Sequence, residues 1–310
     1  MVLITGASGF VGGALAQYLR QFYSVRALVR RSHSSSSIEY ISGFDLSREI
    51  DLGDAFAGVE VVVHCAARVH VMNETALDPL EEFRQINVLG TINLATQAAQ
   101  SGVKRFIYLS SVKVNGESTK IGKPFRPEDA PNPSDPYGIS KFEAELALKD
   151  LAVKMGMELV IIRLPLVYGH GVKANFAALI RLVSLGVPLP FGLANQNRRS
   201  FVAMDNLLSF IKVCIGHPKA ANQTFLISDG QDLSTASLLK EIGLASNKSI
   251  QLIPIPISLM KSFLKIVGKA TVAERLFGNL QVDISKCYEL LEWTPPVKVH
   301  QALKQAISEA

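Results

Sequence analysis

Cysteine is scarce. The chain has three in 310 residues, Cys65, Cys214 and Cys287, far apart and outside any Cys-x-x-Cys or Cys/His cluster. That argues against a disulfide framework and a structural zinc site, and it fits a reducing compartment. No metal site is expected. No internal repeat is visible, and the single low-complexity run, Ser34–Ser37, reads as a loop able to contact an anion. Uninterrupted apolar runs of membrane length are lacking. Ile250–Val272 is apolar, but Pro254, Pro256, Lys261, Lys265 and Lys269 break it into a loop and an amphipathic helix. A strand-like run starts at residue 2 and leads straight into glycines, so no signal peptide is expected, and a soluble cytoplasmic protein is. Charge of one sign is not abundant either: 32 Lys+Arg oppose 27 Asp+Glu, a net +5. The densest cluster, Arg26, Arg30 and Arg31, reads as a local anion site, and nothing resembles a nucleic-acid face.

What is present is a core. Hydrophobic residues make up 48% and charged residues 19%. At roughly 150 residues per domain the length suits two domains, or one unit with a grafted lobe. Short apolar runs at Val2–Thr5, Ser24–Val29, Val59–Cys65, Arg105–Ser110 and Glu158–Arg163 read as strands. Helical patterns at Phe10–Gln21, Leu80–Ser101 and Ser140–Met155 separate them. Alternation of this kind predicts an α/β fold with a doubly wound, Rossmann-like parallel sheet. Residues 1–169 form the expected dinucleotide-binding domain and 170–310 a smaller, mainly substrate-binding lobe. The runs at Phe201–Ile215 and Gln223–Ser228 are expected to return to the sheet.

Thr5-Gly6-Ala7-Ser8-Gly9-Phe10-Val11-Gly12 directly follows the first strand and opens a helix. Gly6 permits the tight turn, Gly9 the close approach of a pyrophosphate, and Gly12 helix-on-strand packing, with the helix N–H groups facing the phosphates. An acid at the end of the second strand would select NAD. Arg30 and Arg31 stand there instead, and no acid follows until Glu39, which favours NADP through pairing with a 2′-phosphate. Asp45 and Leu46 are candidates for the adenine. Ala66 and Ala67, after His64-Cys65, would let the cofactor lie against backbone.

Tyr137 and Lys141 are four residues apart and share a helix face. A nearby ammonium and a cationic nicotinamide would lower the phenol's pKa and make it a base near neutral pH. Ser110 and Ser111 close a strand upstream, at the edge where such sheets hold active sites. His64, His70 and His170 belong to no acid-and-nucleophile pattern and are read as structural or sugar-contacting.

With these residues in place, the chain resembles the extended short-chain dehydrogenase/reductase family, in its nucleotide-sugar epimerase/dehydratase branch. The likeness runs over nearly the whole length. It includes Asn87-Val88-Leu89-Gly90-Thr91, Arg163-Leu164-Pro165-Leu166-Val167-Tyr168-Gly169, and Asp283-Ile284-Ser285-Lys286 with Trp293. The resemblance implies that Tyr137 is the acid/base, that Lys141 holds the nicotinamide ribose, and that Ser111 bonds the reacting sugar oxygen. Ser111 is preferred to Ser110 because Gly116 lies five residues beyond it. The resemblance also implies a cofactor contact at Pro165, substrate contacts at Asn175 and Arg199, with Arg275 a further candidate, and a UDP-sugar as substrate.

Departures narrow the reaction. Val112-Lys113 follow Ser111 where 4,6-dehydratases of the branch carry Asp-Glu, which disfavours elimination. Asn115 replaces a tyrosine common in relatives, with no reading attached. A 4-epimerase working through a 4-keto intermediate leads. An NADPH-dependent 4-ketoreductase follows, and a non-catalytic dinucleotide-binding regulator is the reading from another class. At about 100° per residue, the helix at 140–155 has Glu143, Asp150 and Lys154 on one polar stripe and Lys141, Glu145 and Lys149 on the opposite one. Ala144, Ala147, Leu148, Leu151 and Met155 form an apolar stripe between them, and Phe142, Leu146 and Val153 form another. One is expected to cover the sheet and the other to pair with a second copy in a homodimer.

Overall fold

The computed structural model describes residues 1–31, 38–48, 51–69, 78–172 and 174–308. Ser34–Ser37 and His70 lie outside the described residues, as does the side chain of Asn175. Nine strands are described: β1 (Val2–Thr5), β2 (Val25–Leu28), β3 (Glu39–Ile41), β4 (Val61–His64), β5 (Arg105–Ser111), β6 (Glu158–Leu164), β7 (Leu166–Tyr168), β8 (Phe201–Ala203) and β9 (Gln223–Leu226). Seven of them form one parallel sheet in the order β3-β2-β1-β4-β5-β6-β9. Its inner strands are buried on both faces, which is why they read as near-continuous apolar runs. β7 and β8 form a separate parallel pair.

Helices cover both faces. On one, α1 (Phe10–Leu19) brings Leu15 and Leu19 into a core with Ile4, Val63 and Ile107. On the other, Phe106 and Leu159 meet side chains from α3 (Gly90–Gln100) and α4 (Pro136–Met155). Between α1 and α3, α2 spans Pro79–Arg84. The chain then passes through α5 (Ala174–Ser184), α6 (Met204–Gly216), which joins the α1 layer, and α7 (Thr235–Ala245). The remaining helices are α8 (Ile257–Ile266), α9 (Ala270–Phe277), α10 (Ser285–Leu291) and α11 (Val299–Ser308). A third core joins Phe176, Leu239, Phe277 and Leu303 with Tyr168 and Phe201 of the small sheet. Strand order reverses between β1 and β4, and ligands of doubly wound sheets bind outside the carboxyl ends at that point.

Two helices differ from their sequence-based outlines. The segment at 80–101 is not one helix. A π-helical turn, Gln85–Leu89, separates α2 from α3, with the buried Asn87 inside it. Gly90 then lets α3 close on the chain at Leu46: a Cβ there would lie 2.4 Å from the Leu46 carbonyl oxygen. α4 starts at Pro136, a full turn before Ser140, because Asp135 caps it by accepting from Gly138 N–H at 2.7 Å and Pro136 occupies its first turn. Among the described residues no helix is long and apolar enough to cross a membrane.

Candidate active site

The glycine loop fits a dinucleotide. Gly6 has φ +69°, and Gly9 N–H donates to its carbonyl at 2.8 Å, closing a tight turn before α1. A Cβ on Gly12 would come within 2.3 Å of Gly6 O, so α1 sits against the turn at a distance only glycine permits. Ser8 and Gly9 are exposed at the helix N-terminus, and Phe10 and Val11 are partly buried behind them. The first N–H groups of α1 have no partner within the helix and suit an anion. Ala66 and Ala67 follow β4, and Ala66 packs on the turn: a Cβ on Gly6 would lie 2.8 Å from Ala66 N, whose N–H donates to Thr5 Oγ1 at 3.2 Å. His64 is fully buried behind them between Thr5 Oγ1 at 2.7 Å and Thr91 Oγ1 at 3.0 Å. Burial drives its imidazole down to about 3, so it stays neutral and structural.

At the end of β2 the three arginines separate. Arg30 and Arg31 are exposed. Arg26, expected to join them in an anion site, points the other way: it is buried, paired with Glu39 at 2.9 Å, and donates to the Ala55 and Ala57 carbonyls. The alternation of a strand places residues 26 and 30 on the same face, but Arg30 lies past the strand end, where the chain turns. Asp45 accepts from Ser47 N–H and Oγ, and these bonds, with the Arg48 and Arg30 charges, hold its carboxyl below the usual range. Leu46, a candidate adenine contact, has its side chain in the core under β1 and β2.

β5 and α4 bring Ser111, Tyr137 and Lys141 together. The Ser111 hydroxyl lies beside the Tyr137 phenol, where it acts to lower the phenol's pKa, and it accepts from Lys113 N–H at 3.2 Å. Ser110 faces the other way and donates to Glu145 at 2.6 Å. Tyr137 lies in the first turn of α4, its ring edge on Phe83 with centroids 6.0 Å apart. Lys141, one turn on, is 2% exposed, and its Nζ lies 4.2 Å from the centroid of the Tyr108 ring.

The chain's own groups together leave the phenol's pKa raised, contrary to expectation. Burial and the Asp135 carboxylate push Tyr137 up to about 12, opposed by the Ser111 hydroxyl. Burial also brings Lys141 down to about 7, opposed by Glu145 and Cys65.

Behind Lys141 lies a buried network the sequence did not reveal. Arg163, from β6, forks onto Glu145 at 3.0 and 2.7 Å, with both side chains at most 3% exposed. Its Nη1 also donates to Asn115 Oδ1 at 3.1 Å, and Asn115 Nδ2 donates to Arg126 O, which gives Asn115 a role. The expected polar stripe of Lys141, Glu145 and Lys149 therefore does not exist as a surface: the first two point inward. A carboxylate one turn after Lys141, with an arginine at the end of a buried strand, is the signal the sequence offers. Asn87 likewise gains a structural role. Its side chain accepts from Arg68 N–H and donates to Arg68 O and Ser140 Oγ, tying the loop after β4 to α4.

Pro165 is buried between β6 and β7. In the lobe, Arg199 is bridged by backbone to Leu233 and Leu280, and its Nη1 donates to Gly278 O at 3.4 Å. Burial and the charge of Arg275 lower it, while Glu117 opposes them, so the structure brings Arg199 and Arg275 into one electrostatic neighbourhood. Where a dehydratase carries acids after Ser111, Lys113 pairs with Asp135 and, at 3.2 Å, with Glu117. All three cysteines are free, and the described residues hold no cluster able to take a metal.

The model of the NAD dependent epimerase/dehydratase family matches residues 2–228. The chain belongs to that family. It is 49% identical over 306 residues, 98% of this chain and 93% of the relative, to a UDP-glucose 4-epimerase of Vibrio cholerae. An N-acetyl-alpha-D-glucosaminyl-diphospho-ditrans,octacis-undecaprenol 4-epimerase of Escherichia coli O157:H7 is 30% identical over 302 residues, covering 93% of this chain and 88% of the relative. Among solved structures, a UDP-glucuronic acid 4-epimerase from Bacillus cereus in complex with NAD has a TM-score of 0.79 at 20% identity, covering 99% of this chain and 97% of that one. The resemblance read from the motifs and the doubly wound fold are thus both upheld.

Proposed function

We propose that this family member inverts C4 of a nucleotide-linked hexose, a UDP-hexose or UDP-N-acetylhexosamine, through a 4-keto intermediate. The observation that carries the reading is the placing of Ser111 beside Tyr137 with Lys141 one turn away, together with a glycine cradle that fits a dinucleotide. The Vibrio relative's name states the same chemistry.

A bound nicotinamide dinucleotide supplies the hydride acceptor and donor. Gly6, Ser8, Gly9, Phe10, Val11 and Gly12 would hold its pyrophosphate, Ala66, Ala67 and Pro165 would flank it, and Asp45 with the Leu46 backbone would hold its adenosine end. Tyr137 takes the proton of the sugar 4-hydroxyl and returns it after the sugar has turned over. Ser111 bonds the same oxygen and steadies the phenol. Lys141 holds the nicotinamide ribose. Arg199 and Arg275 would face the diphosphate, to which the resemblance also assigns Asn175. No acid pair follows Ser111, so the chemistry stops at C4.

Residues 1–169, with the return at 201–228, make the dinucleotide part, and the rest of 170–310 the substrate part. Leu146 and Val153 are exposed on one face of α4, with Val153 at 86%, and we assign this face to a second copy of the chain. Arg30 and Arg31 favour NADP over NAD. They also support a second reading, a 4-ketoreductase that consumes NADPH. Proton NMR for the C4 epimer of UDP-glucose or UDP-N-acetylglucosamine, run beside an absorbance assay with a 4-keto sugar, separates the two. Epimer without net dinucleotide change supports the first. NADPH consumed by the keto sugar alone supports the second.

A further inference from the structure

α8 is apolar on two sides. Ile257, Met260 and Leu264 pack into the third core. On the opposite side Leu259, Phe263 and Ile266 stand 63%, 64% and 83% exposed, at the i, i+4, i+7 spacing that makes one stripe. Single exposed apolar residues need no explanation, but a continuous stripe of large ones does. The helix is entered through Pro254 and Pro256 and ended by Gly268 at φ +72°, and it is too short to span a bilayer.

Charge decides what covers it. From Ile242 to Ala273 the chain has no Asp or Glu, and it carries Lys248, Lys261, Lys265 and Lys269. The first acid beyond, Glu274, lies 3.8 Å from Lys261. Lys265, on the flank of the stripe, and Lys269, just past the helix end, are both exposed. A second copy related by a two-fold axis would set this patch against itself and oppose like charges. An anionic lipid surface has the complementary charge, takes the apolar stripe into its acyl boundary, and lets lysines reach the headgroups.

We propose that α8 is a membrane-surface docking helix. It lays Leu259, Phe263 and Ile266 into the interface of an anionic bilayer, with Lys265 and Lys269 against its headgroups. α9, which carries Arg275, packs beside α8, so docking brings this lobe to the membrane surface. The docking does not depend on the C4 chemistry proposed above, and its test reads binding alone.

The test is flotation of the full chain with vesicles of phosphatidylcholine and phosphatidylglycerol, or of phosphatidylcholine alone, at low and high salt. The protein is expected to float with the anionic vesicles at low salt and to be released by salt. Lys265→Glu with Lys269→Glu should weaken partitioning by at least about fivefold for each lysine removed. Leu259→Ser with Phe263→Ser and Ile266→Ser should abolish it. Thermal unfolding of these surface variants should be unchanged, which separates lost docking from lost folding. Failure of the wild-type chain to bind anionic vesicles at low salt overturns the proposal. So does unaltered flotation of the apolar variant. Light scattering that shows the stripe holding two copies together overturns it in favour of self-association.

Discussion

Glu145 and Arg163 form a two-point ion pair in the interior directly behind Lys141, and Ser110 and Asn115 complete its hydrogen bonds. Removing one partner leaves a buried charge uncompensated. Glu145→Ala or Arg163→Met should each cost about 3–5 kcal/mol of stability, and the double variant less than their sum. Denaturant unfolding of the four proteins measures this. Additive losses would show that the pair is not a unit.

Tyr137→Phe removes the phenol oxygen and keeps the ring on Phe83. Turnover should fall by at least about a hundredfold, with unfolding and dinucleotide binding nearly unchanged. Activity close to that of the parent would remove Tyr137 from the mechanism.

Burial puts Lys141 near 7 in the folded chain, against about 10.4 unfolded. Between those values the unfolded state holds the extra proton, so stability rises with pH, by up to about 1.4 kcal/mol per unit. Below about 7 both states are protonated and this contribution to the slope vanishes. Lys141→Met should flatten the rise between neutral and alkaline pH in denaturant titrations, and should abolish turnover. An identical slope in the variant would mean that other groups cause it.

Arg30→Ala should weaken NADP(H) more than NAD(H), by about 1.5–3 kcal/mol if a charged bond to the 2′-phosphate is lost. Titration with both dinucleotides measures the difference. Equal losses would point to adenine stacking instead.

The parts of the fold legible in the sequence were those written in local pattern. Apolar runs with glycines at their ends mark β1 and the loop to α1, because a buried parallel strand and a phosphate turn each need them. Asp135-Pro136 carried the start of α4 as plainly, but the helical periodicity beyond Ser140 drew the boundary too late. Residues that meet only through topology were harder to place. Arg26 reads as one of three neighbouring cations until β3 sets Glu39 beside it. Lys141 and Glu145 read as a solvated stripe until β5 and β6 supply Ser110 and Arg163. The phenol's pKa depends on burial and on a cofactor's charge, which no spacing expresses.

The central claim is that one carbon loses and regains the same hydride. The most direct measurement is epimerisation of a UDP-hexose deuterated at C4, followed by proton NMR. The C4 epimer should appear with its deuterium retained at C4 and with no net change in dinucleotide absorbance. Loss of the deuterium to solvent, or label accumulating in free dinucleotide without epimer, would contradict it.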